Sequence, residues 1–156
     1  MNDDPVRRQY ESLPYPPRDP ADEAKRLITG SPSHLLEVDH YLFAGKRDFA
    51  RRFRALVAGG GTGDATIMLA QQFADRGVDA RVHHLDISEA SIATARARAD
   101  VRGLQNIDFV HGSLLDLPAL DLGTFDYIDC CGVLHHLDDP IAGLRALTAC
   151  LSLIHI

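Results

Sequence analysis

Three observations predict an α/β fold, with a doubly wound and mostly parallel sheet. From Arg54 onward, short apolar runs alternate with helix-like runs, the rhythm of parallel strands joined by right-handed crossovers. The stretch "VAGGGTGDATIMLA", Val57 to Ala70, sets four glycines in five positions between the first apolar run and the first helical run. The chain has 156 residues, 46% hydrophobic and 24% charged, which suits one domain around a single core.

Residues 1–53 read as a helical and extended N-terminal cap, not a separate domain. In "YESLPYPPRDP", Tyr10 to Pro20, the prolines at 14, 16 and 17 forbid a regular helix and favour an extended path. A helical pattern is expected from Pro20 through Leu27 and another around Tyr41 to Phe53. In the basic run "KRDFARRFR", Lys46 to Arg54, the charges surround Phe49 and Phe53 at helical spacing, as on a solvated helix face.

The alternating part begins with "RALVA", a buried strand that breaks at the glycines. "DATIMLAQQFADRG" follows as a helix stopped by Gly77. "ARVHHL" is the second strand, and "SEASIATARARADVRG" the second helix, with Ser88 as N-cap and Gly103 as terminator. "IDFVHG" and "FDYIDCCGVL" make the third and fourth strands. "DPIAGLRALTACL" is a helix opened by Asp139, with Pro140 at its first position. A doubly wound sheet should then continue into further strands, but the next residues are "LSLIHI", Leu151 to Ile156. These are what CTG TCT CTT ATA CAC ATC encodes, which resembles the transposase end sequence used in library preparation. Residues 54–150 are therefore expected to be an incomplete core lacking its C-terminal strands, and residues 151–156 an adapter-derived tail.

The formal net charge is −6, and after residue 54 acidic residues outnumber basic ones, which argues against a nucleic-acid backbone as main partner. No run approaches the ~20 apolar residues of a membrane span. "MNDDPVRRQYE" lacks the apolar centre of a signal peptide, so the expected compartment is cytoplasmic. Adjacent Cys130 and Cys131 with a lone Cys150 do not form a disulfide framework.

Ligands of such sheets bind beyond the carboxyl ends of the strands, here the loops after Ala58, Leu85, His111 and Ile128. Gly59, Gly61 and Gly63 form G-x-G-x-G, with Gly60 in one gap, between a strand and a helix. Backbone that lacks side chains and points its amides outward implies a nucleotide-like ligand. A nicotinamide-type G-x-G-x-x-G would need glycine at position 64, where Asp64 stands and would repel a pyrophosphate, and no G-K-[ST] ending follows. Asp86, ending the second strand, stands where a carboxylate can take both hydroxyls of a ribose, or else caps the next helix, which Ser88 can do alone.

Together "LVAGGGTGD", "LDISEASIATARARA", "FVHGSLLDLP" and "FDYIDCCGVLHHLDDP" resemble, in order and interval, the successive motifs of class I S-adenosylmethionine-dependent methyltransferases, over roughly Arg54 to Leu151. "QYESLPYP" is similar to the segment preceding the catalytic core in some bacterial members. The resemblance implies a Rossmann-like fold and S-adenosylmethionine as cofactor. It places Gly59, Gly61 and Gly63 under the cofactor's methionine and ribose, Asp86 on the ribose diol, and Ile87 against one adenine face. Ser113 would stand where many members have an aspartate for the adenine amino group, with Leu114 flanking the ring. Cys130, Cys131 and Gly132 would line the methionine end, their carbonyls accepting from the ammonium. In two respects the chain departs from the pattern: Val57 replaces the acid two places before the first glycine, and the C-terminal part is missing.

Methyl transfer from a sulfonium needs alignment and exclusion of water, and a base only where the acceptor must lose a proton. His135 is the candidate base, with His136 beside it; the alternative is a loop connection in which one ring packs and the other is solvated. Tyr10 and Tyr15 either cap the cofactor or merely pack. No metal site is expected from His83, His84, His111, His135, His136, Cys130 and Cys131, because adjacent residues on a strand point to opposite faces and no ligand spacing occurs. The leading expectation is a methyltransferase acting on a small-molecule acceptor, with a protein acceptor as a variant and no nucleic acid or membrane partner. The alternatives are a non-catalytic S-adenosylmethionine-binding module of a larger protein and a nucleotide-dependent oxidoreductase, which Asp64 disfavours.

Overall fold

A computed structural model describes residues 5–29, 32–49 and 51–152. Its centre is a four-stranded, all-parallel sheet of β1 (Phe53–Ala58), β2 (Ala80–Asp86), β3 (Ile107–His111) and β4 (Tyr127–Asp129), in the order β3-β2-β1-β4. The chain lays β2 and β3 on one side of β1, then returns to place β4 on the other. The order therefore reverses between β1 and β4, which opens a crevice at their carboxyl ends. The register sets Ala58 beside Leu85 and Val57 beside Asp129.

Burial on both faces explains the continuous apolar run of β1, which is covered above and below by helices. On one side Phe53, Val82, Ile67, Leu69 and Phe73 pack with Leu35 and Val38. On the other, Leu56, Leu85, Leu114, Leu117, Phe125 and Leu147 form the second half of the core. The crossover helices are α3 (Asp64–Asp75), α4 (Glu89–Val101) and α5 (Pro140–Ala149). Ser88 caps α4 by accepting from the Ser91 N–H at 3.1 Å, and Asp139 caps α5 by accepting from Ile141 and Ala142.

The cap departs from expectation in three places. Pro5–Ser12 is a helix (α1) that the sequence reading did not contain, and Pro20–Ala24 is a single 3₁₀ turn capped by Asp19 in place of a helix reaching Leu27. The helix expected around Tyr41 to Phe53 lies earlier, at Leu35–Phe43 (α2), and stops where Ala44 and Gly45 turn left-handed. "KRDFARRFR" is consequently not a helix face. Phe53 opens β1 fully buried, Phe49 packs on the core, and the Arg47 guanidinium lies 5.0 Å from the Phe53 ring centre while pairing with Asp126. The aromatic rings, expected on a helix with a solvated face, instead pack against the core at the start of β1.

The fourth strand is also shorter than its apolar run: Cys130 and Cys131 lie beyond it, and Phe125 forms an isolated parallel bridge to Leu151. Of the expected tail, residues 153–156 lie outside the described residues. Among the described residues no helix is long and apolar enough to cross a membrane.

Candidate functional site

The carboxyl ends of the strands open into a cavity of about 720 Å³, within the range of small-molecule sites. The glycine loop forms part of its wall, but the loop's amides do not point outward as expected. Gly59 and Gly60 donate to the Leu85 carbonyl at 2.8 and 3.1 Å, Gly61 to Asp86 Oδ2 at 2.7 Å, Thr62 to the Tyr15 carbonyl at 3.3 Å and Gly63 to the Gly60 carbonyl at 2.9 Å. A phosphate cradle needs such donors unspent. The loop is therefore closed to a pyrophosphate because its N–H groups are already used, not because of Asp64. The Asp64 carboxylate accepts from Arg18 and Arg98 at 2.5 to 2.9 Å. Burial alone would raise its pKa, but the two guanidinium groups hold it below the ordinary carboxylate value.

The glycines are needed for close approach by protein. A Cβ at Gly61 would lie 2.6 Å from the Tyr15 carbonyl oxygen, and one at Gly63 2.8 Å from Ala95 Cβ. Both residues also have positive φ, 54° and 100°. Gly61 faces the cavity, whereas Gly63 is a packing position between α3 and α4.

At the end of β2, Asp86 lines the cavity and is 8% exposed. Besides Gly61, it accepts from the Ser88 N–H at 2.9 Å, so both carboxylate oxygens are fixed by backbone. Burial outweighs these bonds and raises its pKa. The capping of α4 is left to Ser88. Nearby, Ser91 Oγ is buried in the same wall without a hydrogen-bond partner among the described residues.

The remaining expected residues divide in two. Gly59, Ile87, Ser113, Leu114, Cys131 and His135 line the cavity. Ser113 caps the 3₁₀ turn Leu114–Ala119 through the Leu115 N–H, and Leu114 is nearly buried. Cys130 does not line the cavity. It packs on the Leu56 and Leu147 side of the core, and burial pushes its thiol up to about 11. Cys131 is exposed. His135 and His136 sit on the exposed 3₁₀ turn Leu134–His136 with ring centres 4.0 Å apart, and the Tyr10 hydroxyl bonds His136 Nε2 at 3.1 Å.

The N-terminal cap closes one side as a strap. The Pro16 carbonyl accepts from Thr62 Oγ1 at 2.6 Å, the Tyr10 carbonyl from Ser88 Oγ at 3.1 Å, and Tyr10, Tyr15, Pro16 and Arg18 face the cavity. A buried network anchors the strap. Arg98, 1% exposed, donates to Glu23 Oε1, the Thr62 carbonyl and Asp64, while Arg102 holds the other Glu23 oxygen.

The sequence reading missed Arg18, Ser33, Ser91 and Asp129. Asp129, 4% exposed, lines the cavity at the end of β4, and its Oδ2 accepts from Ser33 Oγ, which lies 3.1 Å from the Tyr127 hydroxyl. Burial, reinforced by the Asp129 charge, pushes the tyrosine up to about 12. The signal for Asp129 was present, as an acid inside the otherwise apolar run "FDYIDCCGVL".

A family model described as a methyltransferase domain matches residues 56–152. An uncharacterised protein of Synechococcus sp. is 36% identical over 97% of this chain, which covers 36% of that protein. The ubiquinone biosynthesis O-methyltransferase of Aromatoleum aromaticum is 31% identical over 94% of the chain and 57% of its own length. The chain thus spans from about a third to just over half of these relatives. Among solved structures, a SAM-dependent methyltransferase from Aquifex aeolicus superimposes with a TM-score of 0.57 at 18% identity, covering 87% of this chain and 69% of that one, a likeness of fold. With the family model covering well over half of its residues, the chain belongs to the class I S-adenosylmethionine-dependent methyltransferases.

Proposed function

We propose that the chain binds S-adenosylmethionine in this cavity and transfers its methyl group to a small-molecule acceptor. The observation that carries the reading is Asp86. It is a buried carboxylate fixed by the Gly61 and Ser88 amides, beside a glycine loop whose donors are spent. Such a wall suits a ligand with a diol and no phosphate at the loop. Ser91 Oγ, buried without a partner in the same wall, fits a second polar contact there, and Ile87 and Leu114 offer apolar surfaces to a flat base. Ser113 Oγ already accepts from Leu115, which leaves a lone pair for a base amino group.

When bound, the cofactor supplies a methyl group already activated on a sulfonium. The chain's own tasks are to orient the ligand through Asp86 and to exclude water with the strap of Tyr10, Tyr15 and Pro16. Where the acceptor is a hydroxyl, His135 on the cavity rim would take its proton. The size of the cavity, about 720 Å³, and the similarity to a ubiquinone biosynthesis O-methyltransferase support a small-molecule acceptor.

The test is to incubate full-length protein with methyl-labelled S-adenosylmethionine and, separately, a panel of small phenols and a denatured cell extract. Label is expected in an organic-soluble small product, and His135→Asn should lower transfer by about 10²-fold or more while leaving cofactor binding intact. Label confined to protein would replace the small-molecule reading, and binding without any transfer would favour a non-catalytic module.

A further inference from the structure

Among the described residues three carboxylates line the cavity, and the fold distributes them around the glycine loop. Asp86 lies on the β2 side and is fixed by backbone amides, and Asp64 lies at the start of α3 between the guanidinium groups of Arg18 and Arg98. Asp129 lies on the opposite flank from Asp86, at the last residue of β4 and two residues before the Cys131–Gly132 rim. Its register partner across the sheet is Val57, the apolar residue two places before Gly59 where the resembling family has an acid. Neighbouring Cα partners in a parallel pair lie within about 5 Å of each other. An acid is thus absent from one strand and present on the next, at the same height in the sheet and against the same cavity.

This placement bears on the ligand's charge. Resting on the cofactor reading above, a ligand whose ribose meets Asp86 and which crosses the loop toward β4 brings its amino-acid end to Asp129. That end carries an ammonium, which is costly to bury without an anion against it. We propose that Asp129 holds the cofactor's α-ammonium, doing from β4 what an acid on β1 would otherwise do. Ser33 is a positioning residue: its Oγ donates to Asp129 Oδ2 and lies next to the Tyr127 hydroxyl, which restricts the carboxylate's rotamer. Through Ser33 the N-terminal cap also contributes to this end of the site.

The test compares three ligands by calorimetric titration. S-adenosylmethionine and S-adenosylhomocysteine both carry the ammonium, and only the first carries the sulfonium charge; 5′-methylthioadenosine has neither. Asp129→Asn is expected to weaken the first two equally, by about tenfold or more, and to leave methylthioadenosine within about twofold of wild type. The double variant V57D/D129V, which returns the acid to β1, is expected to regain most of that loss. Three outcomes would overturn the assignment alone: an Asp129→Asn protein that binds all three as wild type does, one that loses methylthioadenosine to the same extent, or one that loses only the sulfonium ligand. Wild-type protein that binds none of the three would overturn the cofactor reading and this assignment with it.

Discussion

On the β2 side of the cavity the charged groups are tied down, while Ser91 Oγ is buried there without a partner among the described residues. Asp86 takes two backbone amides, Ser88 caps α4, and Arg98 is buried among Glu23, Thr62 and Asp64. On the β4 side Cys131, Gly132, His135 and His136 are exposed around the half-buried Val133 and Leu134, on a 3₁₀ turn without a side-chain cap that the strap touches at Tyr10. Fixing a ligand atom by atom needs groups that are themselves fixed, whereas admitting and releasing a second substrate needs a segment that few bonds hold. The contrast fits the proposed reading, with the cofactor's ribose held at Asp86 on the β2 side and the acceptor entering at the rim near His135.

The largest effect that would break this contrast is at Arg98. Arg98→Ala leaves the Glu23 carboxylate buried with Arg102 as its remaining guanidinium partner and deprives the Thr62 carbonyl of its donor. A loss of about 3 to 5 kcal/mol in urea unfolding is expected, along with protease cleavage in the strap between Leu13 and Arg18. An unchanged unfolding midpoint would show that the network does not anchor the cap.

A smaller effect concerns His84, whose ring is wholly buried against Gly60 and bonded at Nδ1 to Thr66 Oγ1. Burial, with the Arg96 charge adding to it, lowers its pKa from the ordinary 6.5 to about 4. Above about pH 6.5 neither the folded nor the unfolded state carries the proton. Between there and about pH 4 only the unfolded state does, so stability falls as pH falls, by about 3 kcal/mol across the window. His83, lowered mainly by burial, acts in the same direction, and Asp86, raised by burial, opposes both. His84→Gln should flatten the stability profile between those pH values, and a profile as steep as wild type would remove His84 from the account.

The smallest effect sharpens the comparison at the rim. Iodoacetamide at pH 8 should modify exposed Cys131 well before Cys130 or Cys150, whose thiols burial has raised. Bound cofactor should slow the reaction several-fold, because Cys131 lines the cavity. Equal labelling of Cys130 and Cys131, read by peptide mass spectrometry, would contradict their opposite placements.

The α/β core was legible because its signals are local: continuous apolar strands, Ser88 and Asp139 as caps, and glycines where the loop turns. Which atoms spend the loop's amides was not legible, since the acceptors on Leu85, Asp86 and Tyr15 come from elsewhere in the chain. The same limit hid Gly63's packing against Ala95 and the turning of Cys130 toward the core. Phe49 and Phe53 misled because two aromatic residues four apart fit a helix face as well as the edge of a core. Asp129 stood out only as an acid in the apolar run "FDYIDCCGVL", and its pairing with Val57 across β1 and β4 is revealed by the register alone.

Whether Asp86 and the closed glycine loop select S-adenosylmethionine is decided by calorimetric titration of that ligand into full-length wild-type and Asp86→Ala protein, with NADH as a control. Saturable binding of S-adenosylmethionine to wild type is expected, weakened at least tenfold in the variant, with no binding of NADH. Binding of NADH, or S-adenosylmethionine affinity that is indifferent to Asp86, would contradict that selection.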